Sequence, residues 1–243
     1  MRVKDMTIAS LQNERIAELL RLDRRRHRDE TGRFVVEGPH LVAEAVAAGL
    51  CETVFAVADP GFTGIETFLV TEPVMAKIAA TYAPQGVLAI VRRPAPRALG
   101  DRVLLLDGIQ DPGNMGTLLR TALAFGFATV VADGCVDWYN QKVLRATQGA
   151  VFRLNLLEAD LTEFSDAHPG WAVYGTDPHG GIPLDRFVPP AGPFALLLGN
   201  EGAGVRPALL AAAAKTVRIE TTDVESLNVA VAGAIAMYRM RAR

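Results

Sequence analysis

Two hydrophobic rhythms alternate along the chain: apolar residues three or four apart, and short unbroken apolar runs. The first marks helices that bury one face, and the second marks strands buried on both. IASLQNERIAELLRL (residues 8–22) has helical spacing, and PHLVAEAVAAG (39–49) is a predicted helix with Pro39 at its start and Gly49 at its end. FVVEG (34–38), ETVFAVA (52–58) and GVLAIV (86–91) read as strands, and EPVMAKIAATY (72–82) as a further helix. RRPAPRALGD then breaks every periodicity with two prolines, a glycine and three arginines. The pattern predicts a small α/β domain over 1–92, a linker over 93–101 and a larger domain over 102–243.

The larger domain repeats the alternation more regularly. Predicted strands are RVLLLDGI (102–109), ATVVAD (128–133), VFRLNLLE (151–158), WAVYGTD (171–177), FALLLGN (194–200) and TVRIE (216–220). Predicted helices are NMGTLLRTALAFG (114–126), NQKVLRATQG (140–149), LTEFSDAH (161–168), RPALLAAAAKT (206–216) and a long closing helix, SLNVAVAGAIAMYRMRAR (226–243). Continuous apolar strands separated by helices imply a mostly parallel sheet covered on both faces.

Composition narrows the class. Half of the 243 residues are hydrophobic, enough for a sizeable core. No stretch of about 18 residues is apolar and uncharged, so no membrane partner is expected, and the charged N-terminus is unlike a secretory signal. Two cysteines, Cys51 and Cys135, and four scattered histidines imply neither a disulfide framework nor a metal site. A cytoplasmic, metal-free protein is the expectation. The net charge of −2 gives no overall attraction to nucleic acid. Locally, RLDRRRHRDETGR (21–33) holds six arginines against three acids. Arg24, Arg25, Arg26 and Arg28 are either a solvated face or a patch that contacts phosphates.

Three stretches carry candidate chemistry. In DGIQDPGNMGTLLRTALAFG (107–126) a strand exits through a turn into a helix near Asn114, and Arg120 follows on an otherwise apolar helix. Asn114 is either a helix cap or a site residue, and Arg120 either reaches solvent or serves a site at the strand ends. LLLGNEGAG (196–204) ends a strand in three glycines around Asn200 and Glu201, without the G-x-G-x-x-G order of a dinucleotide phosphate loop. ESLNVAVAGAIAMY (225–238) puts Ser226 and Asn228 at the start of a helix rich in small residues, where Ser226 also suits a cap.

Taken together and in order, QDPGNMGTLLRTALAFG, LLLGNEGAG and ESLNVAVAGAIAMY resemble the three motifs of SpoU/TrmH-type RNA 2′-O-ribose methyltransferases, in the SPOUT superfamily. The likeness covers the C-terminal 140 or so residues. GRFVVEGPHLVAEAVAAG resembles the small RNA-binding domain of the ribosomal-RNA branch. The resemblance implies an α/β fold whose parallel sheet carries a deep trefoil knot holding S-adenosylmethionine. Leu198, Gly199, Asn200, Gly202, Ile219 and Leu227 would contact that cofactor. Asn114, Arg120, Glu201, Ser226 and Asn228 match the polar active-site positions. Arg120 would stabilise the developing alkoxide of the ribose, or act as a base if a partner lowers its proton affinity; Asn114 would orient Arg120 or the ribose, Glu201 would hold Arg120 or the RNA, and Ser226 and Asn228 would position the acceptor. The chain departs from the family pattern at Glu220–Thr221, where Pro-Met is common, and at Gln148, where serine is more usual. The closing helix, apolar around much of its circumference, and the resemblance both imply a homodimer. Ribosomal RNA is the favoured substrate. Transfer RNA, an inactive RNA- or ribosome-binding protein and a dinucleotide-dependent oxidoreductase are the alternatives.

Overall fold

The computed structural model describes residues 4–241, and the chain divides into two compact units, the first ending at Pro94 and the second beginning at Ala95. In the first unit, β1 (Lys4–Ile8), β2 (Arg33–Glu37), β3 (Cys51–Ala56), β4 (Glu66–Val70) and β5 (Val87–Arg92) form one sheet in the order β1-β4-β3-β5-β2. β4 runs parallel to β1 and β3, while β5 is antiparallel to β2 and β3. Helices α1 (Glu14–Arg21), α2 (Arg25–Thr31), α3 (Pro39–Ala47) and α4 (Glu72–Ile78) connect them. Ile16, Leu19, Phe55, Phe68 and Met75 share one buried cluster.

This unit departs from the periodic pattern in several places. The helix expected from Ile8 begins at Glu14, because Asn13 caps it by accepting from Arg15 N at 2.9 Å; Ile8 instead ends β1. β4 was not foreseen, its apolar run being only FLV. The arginine run forms α2, closed by Gly32 in the left-handed region. α4 stops at Ile78, short of the expected Tyr82: Glu37 takes the Ala80 N–H at 2.8 Å and the Thr81 hydroxyl, and so removes them from the helix.

The second unit is a seven-stranded sheet in the order β10-β12-β9-β11-β6-β7-β8, with parallel pairing throughout. Its strands are β6 (Arg102–Asp107), β7 (Thr129–Asp133), β8 (Asn155–Glu158), β9 (Ala172–Thr176), β10 (Ile182–Pro183), β11 (Phe194–Leu198) and β12 (Lys215–Arg218). The helices are α5 (Pro112–Ala124), α6 (Gln141–Thr147), α7 (Leu161–Ala167), α8 (Pro207–Ala212) and α9 (Val229–Met240). Every residue of β11, FALLL, is buried, as expected of a central strand covered on both faces. β6 to β8 build outward on one side, and the chain then crosses to the other, so the strand order reverses at the β6–β11 pair. Open α/β sheets bind ligands at the carboxyl edge of such a reversal.

Part of the expected linker belongs to this unit. Arg97 and Asn155 exchange two hydrogen bonds, of 3.1 and 2.9 Å, and the Arg97 guanidinium donates to the Arg153 and Phe152 carbonyls. The predicted strand 151–158 is broken by a 3-10 turn at Ala150–Phe152 and begins only at Asn155. α9 begins after Asn228 rather than at Ser226, and the last two residues of the predicted helix, 242 and 243, lie outside the described residues. Gly233 lets α9 press onto α5 and β11: a Cβ there would sit 2.5 Å from a Leu118 methyl and 2.7 Å from a Leu198 methyl. No helix among the described residues is long and apolar enough to cross a membrane.

Candidate active site

Three chain segments meet at the carboxyl edge of β6, β11 and β12. The loop after β11 is self-supporting. Asn200 and Gly204 exchange two backbone hydrogen bonds of 3.0 Å, and Asn200 Oδ1 accepts from Gly202 N and Ala203 N at 2.9 and 3.0 Å. Asn200 Nδ2 donates to Gly108 O at 2.7 Å, tying the loop to the end of β6. Gly199 is required by this fold. A Cβ there would lie 2.1 Å from both Gly204 C and Val205 N, so the close approach is made by the chain itself rather than by a ligand.

A cavity of about 320 Å³ opens beneath this loop. All six positions expected to contact the cofactor line it: Leu198, Gly199, Asn200, Gly202, Ile219 and Leu227. Glu201 and Ser226 border it too, whereas Asn114, Arg120 and Asn228 do not. Ser226 is exposed and stands outside α9, so it is no cap. At the unusual Glu220–Thr221, Glu220 pairs with Arg218 at 3.3 Å and the Thr221 hydroxyl donates to Val224 O at 2.8 Å, which closes a local turn against the cavity. Gln148 is a left-handed cap of α6 whose amide donates to Arg145 O at 2.7 Å.

Beside the cavity a chain of side chains joins all three motifs. Asn228 Nδ2 donates to Asn114 Oδ1 at 2.9 Å, and Asn114 Nδ2 donates to Glu201 Oε1 at 3.1 Å. The Glu201 carboxylate also accepts from Asp111 N at 3.0 Å and Gln110 N at 3.2 Å. Partial burial pushes the Glu201 pKa up, but these donors outweigh it and hold the carboxyl below its usual range. Asn114 does not cap α5. Asp111 does, accepting from Asn114 N at 2.8 Å, which leaves the Asn114 side chain to bridge.

Arg120 stands apart from this network. It lies six residues beyond Asn114 on α5, about 120° round the helix, is exposed, and makes no ion pair or hydrogen bond among the described residues. Of the partners expected for Asn114 and Glu201, Arg120 is not within reach in the single chain, where the two are bonded to each other; the ribose and the RNA remain the other expected partners.

The sequence reading missed a second cluster. Asp107, 4% exposed at the end of β6, accepts from Arg206 N and Arg206 Nε, each at 2.7 Å. The Arg206 guanidinium also pairs with Asp133 at the end of β7. The glycine loop is thus fixed at its start through Asn200 and at its end through Arg206. Two acids one position before a strand's exit were the available signal. Asp177 and His179, which line the cavity, were also missed; they lie in TDPHGG at the carboxyl end of β9. Burial pushes the Cys135 thiol up to about 11, and no group of three or more metal-binding side chains occurs among the described residues.

In the first unit, Arg24, Arg25 and Arg26 are exposed, with Arg26 held by Glu30 at 2.7 Å and Arg25 by Asp29 at 3.7 Å along α2. Arg28 is a correction to the expected patch. It is 7% exposed and donates to Leu22 O at 2.8 Å and Asp23 O at 2.6 Å, so its guanidinium ties α1 to α2 and is not offered to phosphates.

Parallel strands, a glycine loop tied to the end of β6 and three motifs meeting at one edge define an α/β ligand site at the carboxyl edge of the sheet. Residues 101–238 match the SpoU rRNA Methylase family, and the chain belongs to that family. Residues 13–89 match the MRM3-like substrate binding domain. The chain is 36% identical, over 96% of its length and 98% of the relative's, to the 23S rRNA (guanosine(2553)-2'-O)-methyltransferase RlmP of Bacillus subtilis. A putative RNA methyltransferase of the TrmH family from Porphyromonas gingivalis superposes with a TM-score of 0.85 at 33% identity, over 96% of this chain and 98% of that one. An AdoMet-bound rRNA methyltransferase from Sinorhizobium meliloti does so with a TM-score of 0.84 at 30% identity, over 97% of each chain.

Proposed function

We propose that the protein transfers a methyl group from S-adenosylmethionine to a ribose 2′-hydroxyl of ribosomal RNA, in the cytoplasm. The observation that carries the reading is the 320 Å³ cavity at the strand-order reversal, adjoined by the Asn228–Asn114–Glu201 chain. Small-ligand pockets begin at about 300 Å³ and are mostly apolar with a few placed polar groups. Leu184, Leu198, Val217 and Leu227 supply apolar wall, while Asp177 and Glu225 supply carboxylates suited to a cationic ligand. The lining therefore fits S-adenosylmethionine, which when bound supplies an electrophilic methyl group on a positively charged sulfur. The knot that the family resemblance implies would form one wall.

The protein's own groups then have distinct tasks. Leu198, Gly199, Asn200, Gly202, Ile219 and Leu227 shape the cavity. Asn200 acts through the loop, because its side-chain amide is already used. Glu201, Asn114 and Asn228 fix the three motifs against one another, and Ser226 and Asn228 position the ribose. A 2′-hydroxyl is a poor nucleophile, and a guanidinium that keeps its proton is a poor base. Arg120 therefore stabilises the negative charge that develops as the hydroxyl loses its proton.

Arg120 does this from the partner chain of a homodimer. Val231, Ile235 and Tyr238 form an i, i+4, i+7 stripe on α9 that remains 50%, 40% and 54% exposed. Arg120 lies about 160° round α5 from Leu118, which packs on Gly233 of α9, so it projects from the exposed face of α5, away from its own chain. A second copy that covers the α9 stripe and extends over this face of α5 would bring Arg120 to its own site. Arg24, Arg25 and Arg26 would add phosphate contacts from the first unit.

Calorimetry with S-adenosylmethionine and with NAD, followed by methyl transfer to ribosomal and transfer RNA, tests the reading. Mapping 2′-O-methyl groups should show a ribosomal position gained with the protein, and the counterpart of the guanosine for which the Bacillus relative is named is the first to inspect. Binding of NAD in place of S-adenosylmethionine, or cofactor binding without methyl transfer to any RNA, would overturn it.

A further inference from the structure

The loop joining α4 to β5, residues 79–86, is fixed at its ends and bare at its tip. At one end Glu37, a carboxylate only 6% exposed, accepts from Ala80 N at 2.8 Å and from the Thr81 hydroxyl. A buried carboxylate is costly unless hydrogen-bonded, so its position gives the loop one preferred conformation. At the other end Gly86 adopts a φ of +78°, its carbonyl accepts from Val57 N at 3.0 Å, and a Cβ would lie 2.7 Å from a Val57 methyl. Pro84 further restricts the backbone between them.

Tyr82 sits between these anchors at 105% relative exposure, with no ring, hydrogen-bond or ionic contact among the described residues. An aromatic ring held out by a structured loop gains nothing from the fold. Its chemistry suits a flat partner: unpaired RNA bases stack on such rings irrespective of sequence. The charge along the loop is permissive: residues 73–100 include no acidic residue, and the Glu37 carboxylate bonded to the loop is 6% exposed and already accepts from Ala80 N and the Thr81 hydroxyl. A protein partner is less well served, because the loop's other residues are small or polar and the apolar neighbour at its Gly86 end, Val57 at 40% exposure, adds one side chain rather than a broad patch.

We propose that Tyr82 is a stacking platform for an unpaired base of the RNA substrate. The inference rests on the RNA reading above and adds that the substrate offers a single-stranded or looped-out nucleotide at this loop. The probes are a 12-nucleotide single-stranded RNA carrying 5-iodouridine and a fully paired RNA of equal length. Photocrosslinking to the single strand should map to Tyr82. Tyr82→Ala should weaken single-strand binding by about tenfold to a hundredfold and leave duplex binding unchanged. Tyr82→Phe should restore the affinity, and the salt slope should be the same in all three proteins because no phosphate contact is lost. Melting temperatures should match, since the ring touches nothing. If the wild type binds and methylates RNA while Tyr82→Ala binds it equally and no crosslink forms at Tyr82, the stacking role is wrong and the methyltransferase reading stands. If the wild type neither binds nor methylates RNA, both fall. Loss of a ribosomal protein from Tyr82→Ala pull-downs, with RNA affinity intact, would overturn the proposal in favour of a protein partner.

Discussion

Replacing Arg206 with methionine should loosen the glycine loop without touching the cavity's apolar wall. The Asp107 carboxylate is 4% exposed and receives two 2.7 Å hydrogen bonds from Arg206, one of them from its main chain. Removing one partner of a fully buried ion pair costs about 3–5 kcal/mol. Here the Arg206 side chain is 48% exposed, so water replaces part of what it gives, and the main-chain bond survives. The expected loss is therefore roughly 2 kcal/mol. For a unit of this size that lowers the melting temperature by about 4–8 °C. Both tryptophans, Trp138 and Trp171, lie in the second unit, so tryptophan fluorescence during denaturation reads that unit alone. Combining Arg206→Met with Asp107→Asn should give less than the sum of the single effects, with a coupling of about 1–3 kcal/mol. Calorimetry supplies the second readout: Kd for S-adenosylmethionine should rise, because Arg206 closes the loop that Asn200 opens. Additive mutants, or lost stability with an unchanged Kd, would refute the view that this clamp positions the loop.

Three further outcomes separate the roles assigned to single residues. Glu201 has a depressed pKa in the folded chain, so its contribution is complete above the ordinary carboxyl value of 4.5 and is lost as pH falls through the lower folded value; the stability gap between wild type and Glu201→Gln should be flat from pH 5 to 8 and close in stronger acid, and a gap that changes near neutrality would contradict this. Arg120→Ala should keep normal melting and cofactor affinity, since the side chain has no partner among the described residues of its own chain, while methylation falls about 10²-fold or more; mixing it with a cofactor-binding mutant should restore part of the activity through heterodimers, and an active monomer would rule that out. Arg24, Arg25 and Arg26 replaced by Ser should flatten the salt dependence of RNA binding, whereas Arg28→Ser should instead lower stability by about 1–3 kcal/mol, which chemical denaturation of the two variants would distinguish.

Legibility of the fold followed the physics of each element. β6 and β11 were readable because central parallel strands are apolar on both faces, and VLLL and FALLL are short, continuous apolar runs that end in glycine turns. β1 and β10 were not, because edge or very short strands carry little hydrophobic signal of their own, and β4, although it lies between β1 and β3, has an apolar run of only three residues, FLV. The end of α4 was hidden for a different reason. EPVMAKIAATY is helical by local preference throughout, and only a carboxylate 43 residues earlier in the chain, at Glu37, takes the Ala80 N–H away from it. The same holds for Arg28, whose neighbours in sequence are solvated arginines and whose own partners are carbonyls at the end of α1.

The site shows why cap and site readings of an asparagine do not compete. Asn114 and Asn228 both stand where a helix begins; the sequence offers Asn114 a choice between capping and chemistry, and at the last helix it offers the cap to Ser226, whereas Asn228 is the cap. An amide has two ends, however. Asn228 Oδ1 caps α9 by accepting from Ala230 N at 2.9 Å, while its Nδ2 donates to Asn114. Asn114 is released from capping because Asp111, three residues earlier, takes that duty, and it then spends its acceptor on Asn228 and its donor on Glu201. Motif spacing can bring such residues to one edge of a sheet, but the division of donors and acceptors among them is a three-dimensional property. It follows that Asn114→Asp, which keeps size and the acceptor, should be as damaging as Asn114→Ala: the donor to Glu201 would become a second carboxylate facing the first. Like charges so placed repel, and the loop carrying Glu201 would lose its registration against α5.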